Sequence, residues 1–359
     1  MKIKHLLLSF VFCTLSTFAQ TVEYKIITTV ESIVPGGLGR SRLVENNQEM
    51  DYKEFTTTRV DGKDRDSRDV KRKGLKIDNL SENFLEEIVV PISLYLNKQF
   101  PVRSDPYFIC FTGGQGSGKT TLSFFIQKVL NAICHRPAMG FSIDDIYKSQ
   151  EERRSLANEI HPLCYVRGVP GTHDIKMGLD LINDLSCANV ETETKIPAFC
   201  KPEDKHYPQE EWPIYKGKPD FIFFDAWCGG AKPLPDKDWL PPLNQLEIEE
   251  DPDGVWSKWS NKELSKDYQT LFSLFDLLLM IKVPSMDFVY ESRWIQEQTL
   301  AKTVTNPILK KKIMTKDQVY RFVMHYERLT RYILEELPTF SDIVLSRDGD
   351  FKFSISKTP

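Results

Sequence analysis

Short apolar runs alternate with amphipathic segments from about residue 81 to the end of the chain. Tyr107–Thr112, Ala138–Ile143 and Phe221–Asp225 have the length and composition of buried parallel strands. Apolar residues recur at helical spacing between and after these runs, so the pattern predicts a three-layer α/β fold with a mainly parallel sheet. The other predicted elements are strands at Leu277–Val283 and Ile343–Leu345, and helices at 84–96, Thr121–Ile133, Ile175–Leu185, Asn261–Phe275 and Gln318–Leu337.

The first 80 residues lack this alternation. Residues 1–20 combine a basic start with the apolar run Leu6–Phe18, which is typical of a secretory signal peptide; a chance apolar helix or a wrongly chosen start codon is the alternative. Tyr24–Val34 predicts one strand, and the charged stretch Asp51–Lys76 predicts a solvated or partly disordered linker. The predicted divisions are a signal peptide at 1–20, an N-terminal extension at 21–81 and one domain at 82–359.

Composition limits the class of protein. Of the 359 residues, 41% are hydrophobic, which is enough for a large core and excludes a wholly disordered or collagen-like chain. A formal net charge of -4 argues against general nucleic-acid binding. The seven cysteines form no CxxC pair, so packed thiols are favoured over a zinc cluster. The sequence predicts no membrane span, because Asp276 interrupts the apolar stretch Leu271–Val283. It leaves the oligomeric state open.

The most specific signal is a glycine-rich loop that fits GxxxxGK[ST], between a predicted strand and a predicted helix. Its glycines let backbone N–H groups surround phosphates, and the helix N-terminus favours negative charge. Lys119 is expected to reach the β- and γ-phosphates and Thr120 to bind Mg²⁺, so the loop predicts an ATP and Mg²⁺ site. The predicted nucleotide-binding residues are Gly113, Gly114, Gln115, Gly116, Ser117, Gly118, Lys119, Thr120 and Thr121.

Acidic residues end two further predicted strands. Asp144 and Asp145 follow one strand, and the carboxyl ends of such strands face the ligand crevice in doubly wound folds. One of the two could take a proton from a substrate hydroxyl, while Asp145 could instead cap a helix that begins near Lys148. Asp225 ends the other strand in a Walker B pattern and could bind Mg²⁺ directly or through water.

A glycine-punctuated loop at Tyr165–Asp174 carries basic and acidic side chains. Arg167 could bind an anionic substrate. The alternative is a structural turn before the next helix, with Thr172 or Asp174 as N-cap and His173 in a structural role.

These motifs occur in the order that is found in the D-glycerate 3-kinase family, in the phosphoribulokinase and uridine kinase group of P-loop kinases. The chain resembles this family over about residues 82–355. The resemblance implies an ATP-dependent kinase that phosphorylates D-glycerate to 3-phosphoglycerate. A kinase of another hydroxylated metabolite, such as a nucleoside or sugar acid, and a non-catalytic ATP-binding regulator are the alternatives. The matching segments are 113–120, 142–147, 167–174, 196–201 and 225–230, Tyr290 with Arg293 and Glu297, and 323–330.

The resemblance also implies roles for individual residues. Asp144 matches the catalytic base, and Arg293 matches an arginine in a mobile segment that closes over the phosphates. Lys201 matches a lysine in a loop near the acceptor, where Arg167 and His173 are further candidate contacts.

The chain departs from the family pattern at three positions. Asp225 stands where the family commonly has glutamate, and Ile146 stands where it has phenylalanine. Ala198 replaces an arginine, which bears on glycerate recognition more than on phosphoryl transfer.

The two ends of the chain predict different locations. A signal peptide would direct the protein out of the cytoplasm, where its ATP is supplied. Because the kinase motifs are the more specific signal, we expect a cytoplasmic enzyme with a small-molecule hydroxyl acceptor and no nucleic-acid partner.

Overall fold

The computed structural model describes residues 24–29, 40–45, 48–50 and 84–358, without 202, 304–309 and 311. The chain divides into two compact units, Met1–Glu87 and Ile88–Pro359. In the first unit, three antiparallel strands pair in chain order. The predicted signal peptide and the charged stretch 51–76 lie outside the described residues. The three strands are β1 (Tyr24–Thr29), β2 (Arg40–Glu45) and β3 (Gln48–Met50).

The second unit contains the remaining strands and the α-helices that the structure describes. The strands are β4 (Tyr107–Thr112), β5 (Ala138–Ser142), β6 (Glu193–Lys195), β7 (Phe199–Cys200), β8 (Lys205–His206), β9 (Ile214–Lys216), β10 (Phe221–Asp225), β11 (Leu277–Lys282), β12 (Ile343–Arg347) and β13 (Phe353–Lys357). The helices are α1 (Val90–Gln99), α2 (Lys119–Ala132), α3 (Gln150–Glu159), α4 (Ile175–Cys187), α5 (Gln245–Glu250), α6 (Val255–Leu264), α7 (Asp267–Phe272), α8 (Met286–Thr303) and α9 (Lys316–Phe340).

The central sheet has the strand order β13-β12-β11-β4-β10-β5. All neighbouring pairs are parallel except β12 and β13. This arrangement confirms the predicted mainly parallel α/β fold. It also brings the carboxyl ends of β4, β10 and β5 to one edge of the sheet, which is where ligands bind in such folds.

Both faces of the sheet are covered, because alternate side chains of each strand point to opposite sides. Phe108 and Cys110 of β4 belong to a buried cluster with residues of α4, α7 and α9. The helix α2 contacts β4, β5 and β10 and covers the other face with buried Leu122, Phe125 and Ile126. These packed layers fix the sheet edge at which the glycine-rich loop begins.

The structure corrects two predicted elements. The single helix predicted at Asn261–Phe275 is wrong: α6 and α7 are separate, and Lys266 between them has non-helical φ and ψ of -98° and -126°. Leu274 shares helical spacing with the buried Leu264, Tyr268 and Leu271 but is 43% exposed. The strand predicted at Ile343–Leu345 is β12, but it is not the last one, since β13 follows at the sheet edge with mostly exposed side chains.

The α1 segment begins with a π-helical turn, Phe84–Val89, and Pro91 lies in the first turn of the α-helix that follows. A proline is tolerated there because the first N–H groups of a helix have no partner within it. Among the described helices, none has the length and apolarity to cross a membrane.

Candidate active site

The glycine-rich loop leaves the central strand β4 and enters α2. Gly113 and Gly116 have φ values of 136° and 72°, which favour glycine. A Cβ atom on Gly113 would clash with the carbonyl oxygen of Ile281, and one on Gly116 would lie 2.6 Å from Cβ of Ser292. Glycine is therefore required at both positions, because the loop passes directly beside β11 and α8.

Lys119 is buried inside this loop. Its Nζ donates hydrogen bonds to the carbonyl oxygens of Gly113 (2.8 Å) and Gly114 (3.0 Å). Burial lowers the pKa of Lys119, although the charges of nearby carboxylates oppose that shift. Phosphate oxygens could replace the two carbonyl oxygens as acceptors.

One polar group of the loop supports a phosphate ligand there. Oγ of Ser117 is buried and has no hydrogen-bond partner among the described residues. Buried polar atoms normally have a partner, and this hydroxyl can donate to a phosphate oxygen. The residues therefore fit the phosphates of ATP.

Thr120 and Asp225 come together beside the loop. The Thr120 hydroxyl donates to Oδ2 of Asp225, which ends β10 next to β4. Hydroxyl and carboxylate oxygens are the ligands that Mg²⁺ prefers, and Mg²⁺ usually takes only one or two of them from the protein. Among the described residues there is no group of three or more His, Cys, Asp and Glu that could hold a metal ion. The pair therefore fits a Mg²⁺ ion that is shared with phosphates.

Asp144 lies in a 3₁₀ turn directly after β5 and has both carboxylate oxygens engaged. Tyr147 donates its hydroxyl proton to Oδ1 at 2.5 Å, and Lys201 forms an ion pair with Oδ2. Burial alone would raise the pKa of Asp144, but the Lys201 charge and these hydrogen bonds outweigh it and hold the pKa well below its usual value. Asp144 is therefore ionised, as a base must be.

Asp145 has a structural role that differs from the role of Asp144. Its Oδ2 accepts a hydrogen bond from the backbone N–H of Ser142 at 3.0 Å, which closes the turn at the end of β5. The alternative that Asp145 caps the next helix is wrong, because Ser149 is the N-cap of α3 and accepts from the N–H of Glu152. Asp145 therefore holds the turn that carries Asp144.

Arg167 lies next to the β7–β8 hairpin. Its guanidinium donates to Oδ1 of Asp204 at 2.5 Å and to the carbonyl oxygen of Lys201 at 3.1 Å. Asp204 also forms an ion pair with the buried Arg153 at 2.8 Å. The structure thus brings Arg167 and Lys201 together with Asp144, and Asp204 compensates the charge of Arg167.

His173 is buried behind Tyr147. The two rings stack with centroids 4.9 Å apart, and Nδ1 lies 2.6 Å from the hydroxyl oxygen of Tyr268. Burial lowers the pKa of His173 to about 3, against the opposing charge of Asp144, so the imidazole is neutral at pH 7. Its Nε2 has no hydrogen-bond partner among the described residues. The next residue, Asp174, is the N-cap of α4, as one alternative predicted.

Arg293 lies on α8, directly after the residue that borders the phosphate loop. Its guanidinium pairs with Glu297 at 2.8 Å and lies 5.7 Å from the ring centre of Phe322. Its expected role in closing over the phosphates stays a prediction.

Sequence reasoning missed Arg347. This buried residue ends β12 and donates to the carbonyl oxygen of Gly116 at 2.6 Å and to Oγ of Ser292 at 2.9 Å. It therefore ties the phosphate loop to α8. The signal in the sequence was a charged residue two positions after the apolar run Ile343–Leu345, at the same sheet edge as the loop.

Comparisons with known proteins add to this geometry. No protein-family profile matches the chain. It is 30% identical over 249 residues to the uncharacterized kinase mug58 of Schizosaccharomyces pombe, which covers 67% of this chain and 86% of that protein. It is 27% identical over 245 residues to the chloroplastic D-glycerate 3-kinase of Arabidopsis thaliana, covering 66% of this chain and 50% of that protein.

Solved structures are also similar to the chain in fold. The D-glycerate 3-kinase from Cryptococcus neoformans var. grubii superimposes with a TM-score of 0.57 at 18% identity, covering 74% of this chain and 96% of that chain. At this level of identity the likeness supports the fold, while the relatedness rests on the sequence matches.

Proposed function

The chain belongs to the glycerate-kinase-like family of P-loop kinases, and on this basis we propose that it phosphorylates D-glycerate to 3-phosphoglycerate with ATP. It is a phosphotransferase with an alcohol group as acceptor. The observation that carries the choice of acceptor is the contact between Asp144 and Lys201. A base for a hydroxyl group and a cation for a carboxylate lie side by side, which is what a small hydroxy acid requires.

The donor end of the site is the glycine-rich loop. Lys119 and the loop N–H groups hold the phosphates, and Thr121 follows them in the first turn of α2. Thr120 and Asp225 would hold Mg²⁺, which supplies positive charge to phosphate oxygens during transfer. Arg293 is expected to stabilise the charge on the transferred group, because α8 borders the loop.

The acceptor end is the turn after β5. Asp144 takes the proton of the acceptor hydroxyl while that oxygen bonds to the γ-phosphorus and the bond from this phosphorus to ADP breaks. Tyr147 and the buried His173 keep the carboxylate in one orientation. Their burial excludes water from one side of Asp144 and so supports transfer to the acceptor rather than to water.

The arginine that the family commonly has at position 198 is an alanine here. Ala198 is buried, and its carbonyl oxygen accepts the N–H of Tyr207. The cationic contact to the acceptor is therefore assigned first to Lys201, in the turn of the β7–β8 hairpin, and Arg167, which donates to the carbonyl oxygen of Lys201, is the second candidate.

An acceptor panel tests this function. The full-length chain, with ATP and Mg²⁺, is assayed against D-glycerate, L-glycerate, glycerol, uridine and gluconate. We expect the highest kcat/KM for D-glycerate. A higher kcat/KM for uridine or gluconate would overturn the choice of acceptor, and no transfer to any acceptor would favour a non-catalytic regulator.

A further inference from the structure

Lys201 occupies the oxygen of Asp144 that an acceptor hydroxyl would need. Oδ1 of Asp144 already receives the hydroxyl proton of Tyr147, and Oδ2 is paired with the Lys201 ammonium. A carboxylate in this state is a weak base, since a proton must compete with the neighbouring positive charge. The contacts of Asp144 in this structure therefore oppose the uptake of a proton.

Tyr147 and Lys201, the two partners of Asp144, differ in how easily their side chains can move away from it. Tyr147 is buried among aromatic rings, packed at 4.9 Å from His173 and 5.0 Å from Phe199. The Lys201 side chain is 57% exposed and lies at the turn of the short β7–β8 hairpin. Lys201 is therefore the partner that can move, because more than half of its side chain is exposed, whereas displacing Tyr147 would disrupt the core.

The two arginines near Lys201 already have a carboxylate partner. Arg153 and Arg167 both pair with Asp204, and Arg167 also donates to the backbone of the hairpin. These contacts hold the hairpin in place while the Lys201 side chain projects from it. A carboxylate that enters the site therefore meets Lys201 as the exposed cation next to Asp144.

We propose that Lys201 is a gate that makes the base depend on an anionic acceptor. This inference rests on the proposed function and deepens it. Without an acceptor, the ammonium covers Oδ2 of Asp144. The carboxylate of a compact hydroxy acid draws the ammonium to itself, which frees Oδ2 to take the proton of the acceptor hydroxyl. Water or a neutral alcohol cannot do so, and the gate thus limits wasteful ATP hydrolysis.

The variant Lys201→Met tests the gate in the full-length chain, because two measured rates should change in opposite directions. The first is ATP hydrolysis without an acceptor, in which a water proton would pass to Asp144 and ADP and phosphate form. We expect this rate to rise at least about threefold, because the base is no longer covered. The second is kcat/KM for D-glycerate, which should fall about 10- to 100-fold because a charged hydrogen bond to the acceptor is lost.

Two further variants serve as controls. Lys205→Met removes the same charge from the same hairpin, where Lys205 is 64% exposed and pairs with Glu203 at 2.8 Å, and should change neither rate. Lys201→Arg keeps the charge and should keep ATP hydrolysis low.

The outcomes separate the gate from the proposed function. If Lys201→Met lowers or leaves unchanged the hydrolysis rate, the gate is wrong even when D-glycerate is the substrate. If the wild-type chain does not phosphorylate D-glycerate but Lys201→Met releases hydrolysis, the gate stands and the proposed acceptor is wrong.

Discussion

Replacing Arg347 with methionine should weaken ATP binding, although Arg347 is not itself one of the predicted nucleotide-binding residues. Arg347 donates two charged hydrogen bonds, to the carbonyl oxygen of Gly116 and to Oγ of Ser292. Such bonds contribute about 1.5–3 kcal/mol each. Burial of the guanidinium lowers its pKa, so part of this energy offsets the desolvation of the charge. We expect the free energy of unfolding to fall by about 2–4 kcal/mol.

The expected change in the Kd for ATP is derived from the loss of the Gly116 hydrogen bond alone. If the loop loses about 1.4 kcal/mol of the energy that holds its phosphate-binding shape, the Kd for ATP rises about tenfold. Titration calorimetry with ATP and Mg²⁺ measures this Kd, and chemical denaturation measures the stability. Methionine nearly fills the space, so the change tests the hydrogen bonds more than the packing.

A matched control is Arg136→Met. Arg136 is also a buried arginine and pairs with Asp220 and with the carbonyl oxygen of Phe100, at the end of the sheet away from the loop. This variant should lose comparable stability and leave the Kd for ATP unchanged. If Arg347→Met also leaves the Kd unchanged, Arg347 stabilises the fold only and the positioning role is refuted.

Two further predictions concern Asp144 and His173. Asp144→Asn should lower kcat about 10²–10⁴-fold with little change in the Kd for ATP. Asp145→Asn should lower kcat less, because Asp145 closes the turn. A larger loss of kcat in Asp145→Asn than in Asp144→Asn would identify Asp145 as the base. The unfolded chain protonates His173 near pH 6.5, whereas the folded chain protonates it only near pH 3, so the free energy of unfolding of the wild type should decrease as pH falls between these values. Measured by denaturation at several pH values, the free energies of unfolding of wild type and His173→Phe should converge over this range. A constant difference between the two proteins would contradict the buried neutral imidazole.

The sequence predicted the central strands well because burial on both faces leaves a clear pattern. Tyr107–Thr112 and Phe221–Asp225 are continuous apolar runs, and their bounds match β4 and β10. The edge strand β13 has mostly exposed side chains, so no apolar run marked it. The break at Lys266 was missed because its apolar neighbours keep helical spacing across it.

The phosphate loop was predictable as a local motif, whereas contacts between distant segments were not. Lys119 and Thr120 lie within eight residues of Gly113, and the chemistry dictates their types. Lys201 lies 57 residues from Asp144, and Arg347 lies 231 residues from Gly116. The Arg347 contact arises because parallel strands bring distant residues to one sheet edge, whereas the Lys201 contact comes from the separate β7–β8 hairpin. Spacing along the chain encodes neither contact.

The product of the reaction tests the central claim most directly. The full-length chain is incubated with ATP, Mg²⁺ and D-glycerate, and the new phosphate ester is identified by ³¹P nuclear magnetic resonance, with Lys119→Ala as the control. We expect 3-phosphoglycerate to accumulate with ADP in equal amounts, and the control to form neither. Release of inorganic phosphate without an ester, or an equal yield from the Lys119 variant, would contradict the assignment of this site as a D-glycerate 3-kinase.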